Sequence, residues 1–503
     1  MIRTISKRKN AKSLEEGDNT LRLLDYLNDY ADQDIYPMHM PGHKRNFDFL
    51  DGVSPYRIDI TEVAGSDNLH DSNGILKESM DMAARLFDSY RCWYLINGST
   101  CGLISAIFAL ARRGDKILMA RNCHKSIYNA VHICGLHPIY LFPPVDPEFG
   151  VNGSISPQQV QDALEEYPDI RLAIITSPTY DGVMSDVATI SHILHEHKIP
   201  LIVDEAHGPH LGFHPSFPKS AITEGADLVI QSIHKTLPSP TQTALLHLCS
   251  SLWKNREKLQ EMDRRISDSL AIFESTSPSY ILMAAIDNCV HMLNDGKESL
   301  FHEYIRRINM FAKETRVLKH IRILCKGTDS VENHPLFFGF DPSKIVMSIR
   351  NLRLTSGEFE ELMLKKYKIE LEMIAADYAL ALTSICDTDE GFERLLHALI
   401  EIDQEYGSDT PKPSAPPLVQ ESMMKMTVSA AKDMPDEAVR FSDSAGRISR
   451  EIVFAYPPGI PLIVPGEEIT EQIIANIQDL CANGITVKST FGTLPKVIHV
   501  VEV

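Results

Sequence analysis

Short apolar runs separated by longer amphipathic stretches set the rhythm of the chain from residue 93 onward. The runs occupy residues 93–96, 116–120, 172–176, 200–203 and 227–230. Each is rich in Val, Ile and Leu, ends in small or polar residues, and is followed by a segment of helical spacing. Runs without a polar face are strands covered on both sides, so the pattern predicts an α/β fold built on a mostly parallel sheet. The polar residues after the runs then share one rim: 97–100, 122–126, 177–180, 204–207 and 232–235. Open α/β sheets bind ligands outside the carboxyl ends of their strands, which makes this rim the place to look for chemistry.

Beyond residue 250 the pattern turns helical, highly charged over 253–265 and largely apolar over 280–293. Mixed short elements follow and suggest a smaller α/β domain. Residues 407–417 carry four prolines in eleven positions, too poor in amide donors for a strand or helix, and read as a linker. A last piece ends in the strand-like stretch 497–503. The expected division is an amino-terminal arm over 1–60, a large domain over 61–310 and a small α/β domain over 311–406. A Pro-rich linker over 407–421 then leads to a carboxyl-terminal α+β domain over 422–503.

Charge and cysteine usage narrow the function classes. Against 68 acids stand 49 Lys and Arg, a formal charge of −19, which opposes phosphate attraction, so no nucleic-acid partner is expected. Nine cysteines, an odd number without a C-x-x-C pair, form neither a disulfide framework nor a thiolate zinc site. A reduced, cytoplasmic setting is expected. The polar opening segment is not read as a secretory signal, and the most apolar stretch, around 104–111, is too short for a bilayer. No membrane partner is expected. His195-Glu-His and Cys123-His lack a second ligand pair, so no metal site is expected either.

The most informative segment is Leu201-Ile-Val-Asp-Glu-Ala-His-Gly, followed by Ser232-Ile-His-Lys-Thr-Leu. An aspartate at one strand end and a lysine just past a neighbouring one suit pyridoxal phosphate. Lys235 forms the imine with the cofactor aldehyde, and Asp204, ionised, pairs with the protonated pyridine nitrogen and keeps the ring an electron sink. A neutral partner would not hold that proton at pH 7. Upstream, Asn97-Gly-Ser-Thr opens a helix whose first-turn amides and hydroxyls suit a phosphate. Taken singly, each feature also has a structural reading as a strand-end acid pair or a helix cap; their order on successive strand ends joins them. Asp204-Glu-Ala-His also spells a nucleotide-hydrolysing helicase motif, but the G-x-x-x-x-G-K-[ST] loop that this chemistry needs is absent.

These motifs, in this order, resemble the Orn/Lys/Arg decarboxylases of pyridoxal-phosphate fold type I, the aspartate-aminotransferase-like fold. The resemblance runs over residues 37 to 470. Its motifs are Met40-Pro-Gly-His-Lys, Asp59-Ile-Thr-Glu, Asp67-Asn-Leu-His, Asn97-Gly-Ser-Thr, Arg121-Asn-Cys-His-Lys-Ser, Ser177-Pro-Thr-Tyr, Asp204-Glu-Ala-His-Gly, Ser232-Ile-His-Lys-Thr-Leu, Ser275-Thr-Ser-Pro-Ser-Tyr and Ala455-Tyr-Pro-Pro-Gly-Ile-Pro. It implies decarboxylation of arginine, lysine or ornithine to agmatine, cadaverine or putrescine, a step of polyamine formation. Lys235, Asp204 and His124 would be catalytic, with His124 stacked on the cofactor ring and His207 beside it. Ser99, Thr100, Ser232 and His234 would bind the phosphate. Thr276 and Ser277 would approach the phosphate of a neighbouring subunit, implying a homodimer or higher homo-oligomer with shared sites. Residues 456–467, with Tyr456 and Glu467 as candidates, would line the substrate entrance. Glu467 is the expected carboxylate for the substrate's cationic end, with a solvated turn residue as its other reading.

Some points stay open at this level. Either His124 or His234 is the proton donor. The aromatic pair usual after Ser-Pro-Thr is here Tyr180-Asp181, and Glu274 precedes the Ser-Thr-Ser-Pro segment; both departures bear on substrate choice. With the catalytic pattern starting near residue 37, no amino-terminal assembly domain is expected, and therefore a dimer or modest oligomer. An aminotransferase or another pyridoxal-phosphate lyase of the same fold is the alternative activity. A cofactor-binding regulator without catalysis is the alternative from another class.

Overall fold

A computed structural model describes residues 33–39, 41–44, 46, 58–324, 327, 334–413, 423–455, 459–482, 485–492 and 494–502. Residues buried on both faces build its large sheet. The strands are β1 (Arg91–Leu95), β2 (Lys116–Ala120), β3 (His137–Leu141), β4 (Ile170–Thr176), β5 (Leu201–Asp204), β6 (Leu228–Gln231) and β7 (Ala244–Leu248), in the order β1-β7-β6-β5-β4-β2-β3. β7 runs antiparallel to both neighbours, and the other pairings are parallel. The expected parallel α/β sheet is thus present, and the five runs read from the sequence each supply one strand. The register sets Thr176 beside Asp204 and Asp204 beside Ile230, so the polar ends of β4, β5 and β6 open on one rim.

Helices α1 (Gly98–Leu110), α2 (Lys125–Cys134), α3 (Pro157–Glu166) and α4 (Val187–Glu196) connect the strands. α1 is apolar nearly all round, as a helix wedged between a sheet and α5 (Arg256–Phe273) must be. α3 starts with a Ser156–Gln159 capping box and Pro157 in its first turn. The helix expected over 280–293 continues for 35 residues as α6 (Tyr280–Glu314), so the expected border at 310/311 falls at its last turn.

Four short antiparallel strands, Arg322–Ile323, Lys344–Ser348, Tyr378–Leu382 and Met373–Ile374, form the smaller sheet. Its Ile345, Met347 and Ala381 share one apolar core with the large sheet and with α7 (Asp389–Tyr406). Tyr36–Met38, assigned to an arm by the sequence, pairs in parallel with Ile369–Leu371. The described end of the Pro-rich stretch is also fastened: Ser408 N–H donates to Asn351 O and Lys412 N–H to Arg350 O. Residues 423 onward hold a core of their own, including Phe441, Val453, Ile463, Ile473 and Val500. Among the described residues no helix is long and apolar enough to cross a membrane.

Candidate active site

Asp204 closes β5 with its side chain buried and accepts the Ala206 N–H at 3.2 Å. Burial raises its carboxyl above the ordinary value, and the nearby Lys235 opposes that shift. One strand over, Ser232 ends the β6 run and starts the short helical turn Ile233–Thr236, which carries Lys235. Lys235 Nζ lies 2.7 Å from His207 Nε2. Burial pushes the Lys235 ammonium down to about 8, with Asp204 and then Glu372 pulling the other way. The lysine is therefore part neutral near physiological pH, as a nucleophilic amine must be.

The turn is held from below by the Pro-Gly-His-Lys motif. Gly42 N–H donates to His234 O at 2.7 Å, and a Cβ on Gly42 would come within 2.8 Å of the Thr236 and Leu237 backbone. Only glycine permits that approach.

The start of α1 forms the other end of the site. Gly98 adopts φ +74°, and the helix has no side-chain cap on its first amides. Asn97, at the N-cap position, turns its Oδ1 instead to the Ser275 N–H at 3.2 Å. The first-turn amides of α1 thus point outward with the positive end of the helix dipole behind them. Ser99 and Ser232 hydroxyls meet there at 2.6 Å.

Ser99, Thr100, His124, Asp204, His207, Ser232, His234 and Lys235 all line one cavity of about 570 Å³. Two buried atoms on its wall, His207 Nδ1 and Asn122 Oδ1, have no hydrogen-bonding partner among the described residues. His124 caps α2: its Nδ1 accepts from the Ser126 N–H at 3.3 Å, which leaves the proton of the neutral ring on Nε2. Burial, with Lys235 adding to it, pushes its pKa down to about 3. His234 has the opposite tautomer, since its Nδ1 lies 2.8 Å from the Thr243 carbonyl, which only accepts. Burial holds it at about 4. His207 packs edge-on against Tyr180 with ring centroids 4.8 Å apart, and burial beside Lys235 keeps it well below the ordinary histidine range.

Three acids on the same cavity escaped the sequence reading as site residues: Asp181, Glu370 and Glu372. Asp181 is buried and accepts the Tyr378 hydroxyl at 2.6 Å, and burial pushes its carboxyl up to about 6. The Tyr180 hydroxyl donates to Glu372, and Glu370 lies 3.4 Å from His39. The one signal in the sequence was the Asp181 departure after Ser-Pro-Thr-Tyr.

Other predicted residues lie elsewhere. Glu467 does not line the cavity: it is fully buried, and its two oxygens accept from Arg121 Nε at 3.2 Å and Nη2 at 3.1 Å. A carboxylate so occupied does not fit the expected contact with substrate. Glu274, also buried, accepts the Ile96 N–H at 2.7 Å and supports the β1 end instead of facing ligand. Thr276 and Ser277 are exposed on the loop after α5, outside the cavity. Tyr456 falls outside the described residues.

The sheet order, with its single antiparallel strand and a lysine turn after β6, is that of pyridoxal-phosphate fold type I. In agreement, the constitutive lysine decarboxylase of E. coli superposes with a TM-score of 0.74 at 21% identity over 91% of this chain and 76% of that one. Pyridoxamine-pyruvate aminotransferase from Mesorhizobium loti superposes with a TM-score of 0.51 at 16% identity over 65% of this chain and 83% of that one. Residues 22–353 match the family model of the Orn/Lys/Arg decarboxylase major domain, and 418–484 that of its C-terminal domain. An arginine decarboxylase of Bacillus subtilis is 30% identical over 95% of this chain and 96% of its own length. The chain belongs to the Orn/Lys/Arg decarboxylase family.

Proposed function

We propose that the protein decarboxylates a basic amino acid, with arginine as the principal substrate, using pyridoxal phosphate held by Lys235. The observation that carries this reading is the pairing of Asp204 and Lys235 on a cavity that also bears Asp181, Glu370 and Glu372. The arginine preference rests on the 30% identity to an arginine decarboxylase over nearly the full length.

The donor set fits the cofactor. Lys235 would take it up through its amine, Asp204 would pair with its ring nitrogen, and Ser99, Thr100, Ser232 and the open amides of α1 would hold its phosphate. The unpartnered His207 Nδ1 and Asn122 Oδ1 suit a polar ligand, since a buried polar atom left without a partner costs about 1–3 kcal/mol. When bound, pyridoxal phosphate supplies the electron sink for the pair released as the carboxylate leaves.

The chain's own groups divide the remaining work. Asp204 keeps a negative charge at the strand end. His124 presents its Nε2–H as a hydrogen-bond donor and His234 a lone pair at Nε2, its Nδ1 proton being committed to Thr243. With both rings neutral, the ammonium of Lys235, held at about 8, is the group able to give the carbon its proton. Asp181 and Glu372 attract the cationic end of the substrate, and the planar guanidinium profits from two acceptors. Thr276 and Ser277, exposed in the single chain, complete the phosphate site of a second copy in a homodimer.

The test incubates purified protein and pyridoxal phosphate separately with arginine, lysine and ornithine, recording carbon dioxide release and cofactor absorbance. Arginine giving the highest kcat/KM is expected. Absence of carbon dioxide from all three overturns the reading.

A further inference from the structure

An open circuit of buried polar groups runs behind the site, from Thr236 to the main chain of His207, whose ring lines the cavity. Asp341 Oδ1 is 2.9 Å from His210 Nε2, and His210 Nδ1 is 3.0 Å from the Thr236 hydroxyl. Asp341 Oδ2 accepts from Lys344 Nζ at 2.9 Å, and Lys344 Nζ donates onward to the His207 carbonyl at 3.3 Å. Asp341, Lys344 and His210 are at most 1% exposed. We propose that Asp341, acting through His210 and Lys344, is a positioning residue that sets the contact between Lys235 and His207.

The two ends of the circuit give it this meaning. One end is the side chain of Thr236, next in sequence to Lys235; the other is the main chain of His207. The neighbouring groups, Lys235 Nζ and His207 Nε2, are the pair that meets at 2.7 Å. A neutral His210 that donates to Asp341 must accept from Thr236, so Asp341 accepts from His210 on one side and Lys344 on the other, and Lys344 donates onward to His207. The turn bearing Asp341 and Lys344 begins the Lys344–Ser348 strand of the smaller sheet, so the circuit ties that sheet to the lysine turn. Stability alone would be served as well by apolar side chains of similar volume, because desolvating an ion pair cancels most of its attraction.

The inference rests on Lys235 being the residue that takes up pyridoxal phosphate. Lys235 is faced by Asp204, Glu372, Lys344, His207, His124 and His234. Replacing Asp341 by Asn leaves the Lys344 charge uncompensated behind the lysine. The experiment titrates the absorbance of bound pyridoxal phosphate against pH in the wild type, Asp341→Asn, Asp341→Asn with Lys344→Met, and Thr236→Val, with kcat and KM measured beside it. Expected are a midpoint moved to lower pH in Asp341→Asn and moved back in the double variant. In Asp341→Asn kcat falls about tenfold or more with KM little changed, as displacement of a reacting group predicts. Thr236→Val, which removes only the hydroxyl that meets His210, lowers kcat in the same direction and carries the test if Asp341→Asn does not fold. Wild-type midpoint and kcat in folded Asp341→Asn, or wild-type kcat in Thr236→Val, overturn the inference. A cofactor band unchanged from wild type in Lys235→Ala overturns the underlying reading instead.

Discussion

Glu467 and Arg121 form a two-point ion pair, 0% and 1% exposed, that joins the carboxyl-terminal segment to the end of β2. Arg121 also donates to the Pro461 carbonyl at 2.7 Å. The pair thereby fixes the 459–467 segment, whose Gly459 lies over His124: a Cβ there would be 3.7 Å from the imidazole. Removing one partner strands a buried charge, so Glu467→Gln is expected to destabilise the protein by about 3–5 kcal/mol. Denaturant unfolding checks this. A Glu467 that served substrate binding would instead leave stability intact and raise KM.

Lys235 gives a second prediction through its proton. With its ammonium held at about 8 by burial, the reactive neutral amine is depleted tenfold per pH unit below 8 and predominates above it. The rate at which apoprotein captures pyridoxal phosphate is expected to climb from pH 6 and level off above about pH 9. An exposed lysine would keep climbing towards 10.4 or so. Stopped-flow absorbance between pH 6 and 10 distinguishes the two.

How far the sequence carries depends on how local each signal is. β5 and β6 announce themselves because two-sided burial leaves unbroken apolar runs, and the residues just beyond them, Asp204 and Lys235, inherit their place from the strand ends. β3 was not legible: His137 is exposed, Pro138 interrupts the run, and the strand lies at the sheet edge, where burial is partial. Ala244–Leu248 is buried throughout but carries His247 and lies against the helical region, so it gave no separate run. Glu467 was misplaced because its partner is 346 positions away and a Glu after Pro-Gly looks like a turn. Glu370 and Glu372 reach the cavity from the Ile369–Leu371 strand, which pairs with Tyr36–Met38, and the residue after it, a long-range arrangement that no spacing encodes.

Asp204 supplies the third prediction. In the role proposed for it, its charge stands where the ring nitrogen would carry a proton, and an amide of the same shape cannot hold that proton at pH 7. Asp204→Asn is therefore expected to keep capturing pyridoxal phosphate at Lys235 while losing about 100-fold or more in the decarboxylation step, the scale on which charge stabilisation in a dry site operates. Single-turnover measurement of carbon dioxide separates capture from chemistry; equal losses in both would mean that Asp204 is only a packing residue.

Substrate recognition yields the last. Asp181 and Glu372 line the cavity as carboxylates steadied by Tyr378 and Tyr180 respectively. A hydrogen bond to a charged group contributes about 1.5–3 kcal/mol, so Asp181→Asn or Glu372→Gln is expected to raise KM for arginine about 10- to 100-fold with little change in kcat, the pattern of lost uniform binding. Burial sets the Asp181 carboxyl at about 6. Below that pH the group takes up a proton, loses its charge and ceases to attract a cation, so KM should rise as pH falls through 6. In Asp181→Asn that acid limb disappears, because the amide has no proton to gain. A KM profile from pH 5 to 8 for both proteins tests the assignment; an acid limb of equal depth in the two would place the recognition of the substrate's cationic end on another residue.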